Sequence, residues 1–503
     1  MTAMPTSFTR KVALGVAWMT SARALVRLMG LVSMIVLARL LNPTDFGIVA
    51  MAMAVAAGLE LLTLFSFDMA LIQRKEMTRA HYDSAWTLNF LMGVGLAAAL
   101  AVAAGPVAVF YREPRLDTVM LIIGAKYIID GAINTGTVDF RRNLDFQSEF
   151  VLQLVPRIAG ILVTIPLAFW LSDYRALLAG MLFGASIACM MSYVMHPHRP
   201  RWCLSEARGL IRFSRWLLLN NFVGFLWNRG ADFIIGRALG PASLGIYSLA
   251  YEVSNLPSTE MVAPINRVLF PSYVQLADDF ERLREGFRAT LGLIALVILP
   301  ASIGLAAVAE PLVRVVLGNK WLETIPLISL LAVAGAGTVL QSNTGSVYNA
   351  LGQPRMIALT GAIHAALLIP MILFATYTFG LIGTAWAVLV HSLALGMTTT
   401  YGIFLRTTPI RLADVLQACW RPIIACAVMF GSVRVFLAAL EPYRDFIWTL
   451  GALLAACAIG VLTYAAAIAL LWLVAGRPQG AETMVLGYIE PVWRRLTGTN
   501  AES

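Results

Sequence analysis

The sequence predicts an all-α, polytopic membrane protein with about 14 transmembrane helices, and three observations support this fold class. Of the 503 residues, 59% are hydrophobic. Only 13% are charged, against about 25% in a typical soluble domain. Apolar runs follow one another almost to the C-terminus, and a stretch between two of them is repeated later in the chain. This composition excludes a soluble enzyme, a disordered chain and a secreted disulfide scaffold.

Each predicted span is a stretch of roughly 20 mainly apolar residues, which is the length that crosses a bilayer as a helix. The first run is too long for a signal peptide, so we expect it to remain as a membrane helix. The predicted spans are Val12–Leu41, Phe46–Ile72, Ala85–Tyr111, Val119–Asp139, Phe150–Leu171, Ala176–Met195, Phe213–Leu239, Leu244–Phe270, Phe287–Ala309, Ile325–Ala350, Met356–Tyr377, Gly380–Phe404, Cys419–Leu440 and Ile447–Ala475.

The basic residues predict the orientation. With the N-terminus inside, the inner connectors hold 22 of the 37 Lys and Arg side chains and the outer connectors hold 8. The positive-inside rule therefore predicts that both termini are cytoplasmic. The net charge of +9 does not indicate nucleic acid, because it lies in short connectors without a basic stripe or interleaved aromatic residues.

An internal repeat predicts the architecture. Residues 37–52 align without a gap with residues 235–250, and both copies carry Arg, Pro and Gly at matching positions: Arg39 and Arg237, Pro43 and Pro241, and Gly47 and Gly245. Each copy lies between the first and second spans of its group of six. This arrangement predicts two six-helix bundles, related in parallel by a pseudo-two-fold axis along the membrane normal and facing a central cavity, as in transporters.

The expected domains follow from this division. They are an N-terminal lobe (1–195), a cytoplasmic linker (196–212), a C-terminal lobe (213–404), two additional spans (405–475) and a cytoplasmic tail (476–503). Within the linker, His196-Pro-His198 is expected to be a solvated loop and not a metal site. His364 and His391 lie within spans, where buried polar packing is the expected role.

Four stretches of the chain resemble polysaccharide flippases of the multidrug/oligosaccharidyl-lipid/polysaccharide exporter superfamily, in the exopolysaccharide and lipopolysaccharide branch. The stretches are Leu37–Gly47 with Ala70–Lys75, Ala231–Arg237 with Gly245–Tyr251, Arg267–Pro271 with Asp278–Arg284, and Leu351–Arg355.

The resemblance implies a function and a location. Family members move an undecaprenyl-diphosphate-linked repeat unit from the inner to the outer leaflet of the bacterial inner membrane, by alternating access and without ATP. It implies no cofactor, and it leaves proton or sodium coupling open. The implied partners are the polyprenyl-diphosphate-linked oligosaccharide, membrane lipids, and a polysaccharide polymerase with its export machinery.

Basic side chains inside the spans are the candidate substrate ligands. A mid-membrane Arg costs about 2.5–3.5 kcal/mol on insertion scales, so each must face a partner or water. Arg23 and Arg27 are four residues apart and share one helix face, which suits the bidentate binding of a diphosphate. The alternatives are that one or both pair with Asp68 or Glu60 of the next span, or that they extend to a membrane interface. The full candidate set is Arg23, Arg27, Arg157, Arg229 and Arg267.

Intramembrane acids are the candidates for ion coupling, because a buried carboxylate can take up a proton. They are Glu60, Asp68, Asp130, Asp232, Glu252 and Glu260. Lys126 with Asp130, and Arg229 with Asp232, have the spacing of intrahelical ion pairs, which favours a structural role for both. Arg267 is expected to close a helix broken by Pro257 and Pro264.

Three other functions were weighed. A membrane enzyme would need an outer catalytic loop, but the outer connectors are short, so we expect no enzymatic activity. A multidrug exporter of the same fold would need an acidic cavity for organic cations, whereas the first lobe has more bases than clearly unpaired acids. A peptidoglycan-precursor flippase stays open as a second alternative.

Overall fold

The computed structural model describes residues 18, 25–61, 71, 77–207, 217–276, 279–440, 445–478 and 480–483, without the side chains of 217–223, 226–228 and 260–272. Within these ranges every regular element is helical. The chain divides into two compact units, Met1–Gly245 and Ile246–Ser503. A lipid environment explains the all-helical fold, because only a helix satisfies its own backbone hydrogen bonds within one segment.

Fourteen long helices are present in the described residues, and they match the predicted spans in order. They are α1 (25–40), α2 (Pro43–Glu60), α3 (Arg79–Tyr111), α4 (Arg115–Gly131), α5 (Phe146–Leu171), α6 (Arg175–Met195), α7 (217–239), α8 (241–276), α9 (Phe280–Ala307), α10 (Thr324–Ala350), α11 (354–379), α12 (381–407), α13 (Leu412–Ala439) and α14 (Phe446–Val474).

Two pairs of consecutive helices are joined by a single glycine. Gly240, with φ of 83°, separates α7 from α8. Gly380, with φ of 65°, separates α11 from α12. Both angles lie in the region that only glycine adopts without strain. A span can therefore end and the next can begin with almost no connecting loop.

The prediction for the fourth span was wrong at its inner end. The predicted span continues to Asp139, whereas α4 ends at Gly131 and a short 3-10 turn follows over Thr135–Thr137. The Asn134 side chain accepts a hydrogen bond from the backbone N–H of Gly136 at 2.9 Å. Such a local side-chain bond competes with helix continuation, and it places Asp139 outside the span.

The two copies of the sequence repeat meet in the first unit through reciprocal backbone contacts. A Cβ atom added to Gly47 would lie 1.7 Å from the carbonyl oxygen of Pro241, and one added to Gly245 would lie 1.8 Å from that of Pro43. The helix starts of α2 and α8 therefore cross with no side chain between them. Reciprocity of this kind is what a two-fold relation between the copies produces.

Small residues also allow close packing elsewhere in the first unit. A Cβ on Gly93 of α3 would lie 2.4 Å from the backbone carbonyl oxygen of Tyr127 on α4. A Cβ on Gly160 of α5 would lie 3.0 Å from the backbone carbonyl oxygen of Gly180 on α6. Membrane helices associate through such interfaces, because lipid provides no hydrophobic driving force between them.

The linker is docked on the first unit, so the expectation of a solvated loop at His196-Pro-His198 is wrong. The Asp83 carboxylate at the start of α3 accepts a hydrogen bond from the backbone N–H of Arg201 at 3.0 Å. It also lies 3.1 Å from His198 Nε2. The Asn134 side chain donates to the His198 carbonyl at 2.8 Å. Three polar anchors therefore hold this segment.

The rest of the linker continues along α3. The backbone N–H of Cys203 donates to the Thr87 hydroxyl at 3.1 Å, and the Trp202 ring packs edge-on against Trp86 at 5.5 Å. The side chains of His196 and His198 are only 16% and 12% exposed. In the described part of the chain no cluster of three or more His, Cys, Asp or Glu side chains could hold a metal ion.

The second unit has an aromatic core on its predicted inner side. Phe404 of α12 lies between Phe287 of α9 and Tyr348 of α10, with ring centroids 5.4 and 5.3 Å apart. Arg284 of α9 donates hydrogen bonds to both carboxylate oxygens of Asp414 at the start of α13, at 3.1 and 3.2 Å. The two additional helices α13 and α14 thus pack into this unit through α9.

The helix crossing generates the first prediction. We expect Gly47→Ala and Gly245→Ala each to destabilise the protein by about 1–3 kcal/mol, because the new methyl group overlaps a backbone carbonyl and the two helices must shift apart to admit it. Thermal unfolding of the purified protein in detergent measures this. Gly95→Ala on α3 is the control, since nothing lies within 4 Å of its Cβ position. Equal unfolding temperatures for the three variants would contradict the close crossing.

The docked linker generates the second prediction. Burial lowers the pKa of His198 below its ordinary value of 6.5, although the negative charge of Asp83 and its hydrogen bond to the ring act in the opposite direction. Docking therefore favours the neutral ring, and the stabilisation from this residue is present above about pH 6.5 and is lost as the pH falls. Hydrogen exchange of residues 196–207, corrected for intrinsic rates, should become several-fold faster at pH 5.5 than at pH 7.5. Slower corrected exchange in acid would mean that the Asp83 ion pair dominates.

Candidate functional site

α1 and α5 run parallel to each other along the first unit. Near their predicted inner ends the rings of Trp18 and Phe150 lie 5.3 Å apart. Near their outer ends Leu41 and Ala168 belong to one buried cluster. The two helices are therefore neighbours near both ends. Residues of α1 and α5 that lie equally far from these contacts are at similar depths along the bundle.

Each of these two helices carries an exposed arginine at mid-depth. Arg157 Nη2 of α5 lies 3.5 Å from the Cβ position of Gly30 on α1. Arg27 lies three residues before Gly30, so its Cα is about 4.5 Å lower along α1. Both arginine side chains are exposed within the unit. The Arg157 guanidinium thus lies within about one helical turn, in depth, of the Arg27 backbone on the adjacent helix, and we refer to these two residues as the arginine pair.

The depth of the arginine pair follows from helix geometry. At 1.5 Å per residue, Arg157 is about 17 Å from the start of α5, and Arg27 is about 20 Å from the end of α1. The hydrocarbon core is about 30 Å thick. We therefore expect the pair in the interior of the hydrocarbon core, where a charged side chain is a functional candidate by default.

The sequence prediction placed Arg27 beside Arg23, and the structure adds Arg157 from another helix. Arg23 and Asp68 lie outside the described residues, as do the side chains of Arg267 and Glu260. Pairing of Arg23 with an acid of the next span therefore stays a prediction.

Two predicted ion-coupling acids lie along one side of α4. Glu60, at the end of α2, accepts a hydrogen bond from the Tyr127 hydroxyl at 3.0 Å. Asp130 pairs with Lys126 one turn earlier on α4, and the Lys126 ammonium lies 5.2 Å from the Tyr127 ring centroid. Tyr127 therefore contacts Glu60 directly through its hydroxyl, and its ring lies beside the lysine that pairs with Asp130.

The third acid in the first unit is held by a neighbouring arginine. Asp232 of α7 has a side chain that is 9% exposed, and its carboxylate lies 3.1 Å from Arg229 Nη1. Both intrahelical pairs predicted from the spacing, this one and Lys126 with Asp130, are therefore formed. Neither pair lies on α1 or α5, where the two arginines of the pair are.

The remaining candidates belong to the second unit. Glu252 of α8 is exposed. The expectation that Pro257 and Pro264 break this helix was wrong, because the backbone of α8 is helical through both prolines. Prolines are tolerated inside membrane helices when side chains or local adjustments satisfy the freed carbonyl groups.

Two solved structures have this fold. The lipid II flippase MurJ in an inward closed conformation superposes with a TM-score of 0.72 over 92% of this chain and 100% of that one, at 14% identity. An inward-facing multidrug resistance transporter of the MATE family, within the MOP superfamily, gives 0.56 over 76% of this chain and 96% of that one, at 12% identity. The chain therefore shares its fold with these two solved membrane proteins.

The family is narrower than the fold. A family profile described as polysaccharide biosynthesis protein matches residues 36–326, and this chain belongs to that family. The lipopolysaccharide biosynthesis protein WzxC of Escherichia coli K12 is 26% identical over 381 residues, which cover 75% of this chain and 77% of that protein. The resemblance inferred from the repeat and its neighbourhood is confirmed, and the protein is a multi-pass membrane protein.

The Arg229–Asp232 pair generates the third prediction. Arg229→Gln should lower stability by about 1–2 kcal/mol, because it leaves a buried carboxylate without its cation, discounted for the partial exposure of Arg229. The double variant Arg229→Gln with Asp232→Asn should recover most of this loss, as measured by thermal unfolding. Losses that simply add in the double variant would show that the two side chains act separately.

Proposed function

We propose that the protein translocates an undecaprenyl-diphosphate-linked oligosaccharide repeat unit from the inner to the outer leaflet of the bacterial inner membrane, for exopolysaccharide or lipopolysaccharide biosynthesis. The observation that carries this proposal is the arginine pair of Arg27 and Arg157. Membership of the polysaccharide biosynthesis family supports the substrate class.

The arginine pair matches the charged part of such a substrate, which is the diphosphate. A diphosphate carries two adjacent anionic groups, and each guanidinium can donate two parallel hydrogen bonds to phosphate oxygens. Two arginines in the membrane interior cost about 2.5–3.5 kcal/mol each. A bound diphosphate offsets this cost, and the arginines in turn offset the cost of taking the phosphates out of water.

The proposed mechanism is alternating access without ATP. The diphosphate binds at the arginine pair from the inner leaflet, the sugars cross within the protein, and the polyprenyl chain stays in lipid. The two copies of the repeat change their relative arrangement, and the site then opens outward. In this role the protein is a carrier and not an enzyme, and both termini lie in the cytoplasm by the positive-inside rule.

The residues of the first unit favour an anionic substrate over an organic cation. Within the described part of this unit, Glu60 is bound by Tyr127, Asp130 by Lys126 and Asp232 by Arg229. A multidrug exporter would need an acid that is available to a cationic drug. A peptidoglycan precursor carries the same diphosphate, so the arginine pair fits it equally well, and family membership is what favours a polysaccharide unit.

The partners of the proposed carrier follow from its product. A repeat unit delivered to the outer leaflet must be joined to a growing chain, so a polysaccharide polymerase and an export machinery are the expected downstream partners. We also propose the acids Glu60, Asp130 and Asp232 of the first unit, and Glu252 of the second, as ion-coupling residues.

The arginine pair generates the fourth prediction. In a strain that lacks this gene, Arg27→Ala and Arg157→Ala should each reduce surface polysaccharide at least tenfold at unchanged protein level, with lipid-linked units accumulating on the inner leaflet. The physical reason is the loss of about 1.4 kcal/mol or more of diphosphate binding per removed guanidinium, since that free energy corresponds to a factor of ten. Arg27→Lys and Arg157→Lys should recover only part of the activity, because lysine keeps the positive charge but cannot donate two parallel hydrogen bonds to a phosphate.

Arg434→Ala is the matched control for this experiment. Arg434 is also an exposed arginine within a membrane helix, but it lies on α13 in the second unit. Normal polymer in this variant together with lost polymer in the other two supports the proposal. Normal polymer in all three removes the arginine pair from the mechanism, and unchanged polymer in the full deletion overturns the polysaccharide function itself.

A further inference from the structure

A polar pocket of about 920 Å³ lies in the second unit, between α9, α13 and the residues that follow α14. Both helices begin on the predicted inner side of the membrane, and α14 ends there. Four charged side chains line the pocket: Glu285 and Arg288 of α9, Arg421 of α13, and Glu482 beyond α14. Its volume is within the range of about 300–1,000 Å³ that small-molecule sites have. We refer to this feature as the inner pocket.

The chain turns back after α14 and closes one side of the inner pocket. The Trp472 ring N–H donates a hydrogen bond to the Pro478 carbonyl at 3.2 Å. A Cβ added to Gly292 of α9 would lie 3.3 Å from the Ala481 methyl group. Residues 480–483 therefore pack directly on α9, at a position where that helix has no side chain.

Arg421 is the buried cation of the inner pocket. Its side chain is 9% exposed and that of Glu482 is 10% exposed, and Arg421 Nη1 lies 3.0 Å from Glu482 Oε1. Within the described residues, however, neither Nε nor Nη1 of the arginine has an aligned hydrogen-bond acceptor, and Glu482 Oε2 has no donor. A guanidinium has five N–H donors, and a buried donor without an acceptor is costly. A ligand with several acceptor oxygens would satisfy these donors.

Arg288 provides a second guanidinium from the facing helix. Its Nη1 donates to the Gln417 side-chain oxygen at 3.2 Å. Gln417 lies one turn before Arg421 on α13, so the two arginines approach the inner pocket from adjacent helices at a similar level. Arginine donates paired hydrogen bonds to phosphate oxygens. The inner pocket can therefore hold a phosphate group between α9 and α13.

The two carboxylates balance the charge of the inner pocket. Glu285 lies three residues before Arg288 on α9, and Glu482 faces Arg421. The lining side chains thus carry two positive and two negative charges, and this balance gives an anionic ligand no advantage over a neutral one. A primary ammonium donates three hydrogen bonds, which carboxylates accept. A zwitterion with a phosphate and a primary ammonium matches both kinds of lining charge.

The inner pocket lies near the level expected for lipid headgroups. α9 and α13 have 28 residues each, so each is about 42 Å long, close to the 40–45 Å of a bilayer with its headgroup regions. Arg288 and Arg421 lie about 12 and 14 Å from the starts of these helices. Helical side chains tilt toward the helix N-terminus, which is here the predicted inner side. Both guanidinium groups therefore extend back toward the membrane interface.

An apolar strip continues from the inner pocket along α13. Trp420 lines the pocket and is 40% exposed. Ile423 and Ile424, three and four residues later, lie on the same side of the helix and are also exposed. Tryptophan is enriched at membrane interfaces, because its ring is apolar and its N–H is polar. A lipid with its headgroup in the inner pocket can thus lay its acyl chains along this strip.

We propose that the inner pocket binds one phospholipid of the inner leaflet whose headgroup carries a phosphate and a primary ammonium, as in phosphatidylethanolamine. Arg288 and Arg421 bind the phosphate, and Glu285 and Glu482 bind the ammonium. Polar pockets between membrane helices on the cytoplasmic side are known to accept lipid headgroups. The bound lipid ties residues 480–483 to α9 and α13, and its binding is independent of the proposed transport.

Lipid binding is measured by native mass spectrometry of the full chain in detergent. The probes are phosphatidylethanolamine, phosphatidylcholine and phosphatidylglycerol with identical acyl chains. We expect one phosphatidylethanolamine per chain, bound at least tenfold more tightly than phosphatidylcholine, whose methylated nitrogen has no N–H donor, and than phosphatidylglycerol, which has no ammonium. Equal binding of the first two lipids, or tighter binding of the third, would overturn the proposal. Displacement of the lipid by inorganic phosphate would indicate a site for free phosphate and would also overturn it.

Variants of exposed side chains test the pocket without disturbing buried ones. Arg288→Gln should weaken phosphatidylethanolamine binding at least tenfold, and Glu285→Gln should reduce its preference over phosphatidylcholine at least fivefold. Arg282→Gln is the matched control, because Arg282 is an exposed arginine of α9 that does not line the inner pocket. Unchanged lipid binding in both pocket variants, or the same loss in the control, would exclude the inner pocket as the site.

Hydrogen exchange in the same detergent locates the bound lipid. Phosphatidylethanolamine should slow the exchange of residues 480–483 several-fold in the wild type, because the lipid joins Glu482 to α9 and α13, and this slowing should disappear in Arg288→Gln. Residues 196–207 of the first unit are the internal reference. Exchange of residues 480–483 that does not respond to the lipid, or that slows no more than the reference, would contradict the proposed position.

Discussion

The reciprocal backbone contact between the two copies of the repeat is the constraint on which the first unit depends. Gly47 touches the Pro241 carbonyl and Gly245 touches that of Pro43, so neither glycine can carry a side chain. The turns that precede these contacts fix where α1 ends and α2 begins. Arg27 lies on α1 before the first turn, and Glu60 lies on α2 after it. Because the crossing fixes this turn, it also fixes how far along each helix the candidate substrate ligand and the candidate coupling acid lie.

A membrane-embedded bundle has to obtain its specificity without the hydrophobic effect between helices. This chain uses close approach at small residues, as at Gly93 and Gly160, and short-range neutralisation of charge, as between Lys126 and Asp130. Both devices are local and geometrically demanding. They explain how the intrahelical pairs Lys126–Asp130 and Arg229–Asp232 are accommodated within the bundle.

The sequence was sufficient to predict the spans and the repeat, because hydropathy and turn residues are properties of short segments. It was insufficient wherever a contact joined distant residues. The docking of His198 on Asp83 and the contact between the buried rings of His364 and His391 depend on which helices become neighbours, and no local pattern encodes this. Arg27 was predicted from the cost of burying its charge, but its expected neighbour was Arg23 on the same helix. The structure brings in Arg157, about 130 residues away, through the packing of α5 on α1.

The frame of the repeat is symmetric, whereas its chemistry is not. With the ungapped offset of the two copies, Phe225 occupies the position that Arg27 has in the first copy, and Ser258 occupies that of Glu60. The Phe225 ring lies 3.0 Å from the Cβ position of Gly58, two residues before Glu60. The proposed carrier binds a molecule with one anionic end and one apolar end, so identical charges in both copies would serve it poorly. When the 198-residue offset is extended beyond the aligned residues, the turn is retained while arginine is replaced by an aromatic ring. The two copies therefore share a backbone frame, set by the glycine contacts, without sharing the side chains beside it, and this separation lets one fold hold different chemistry in its two halves.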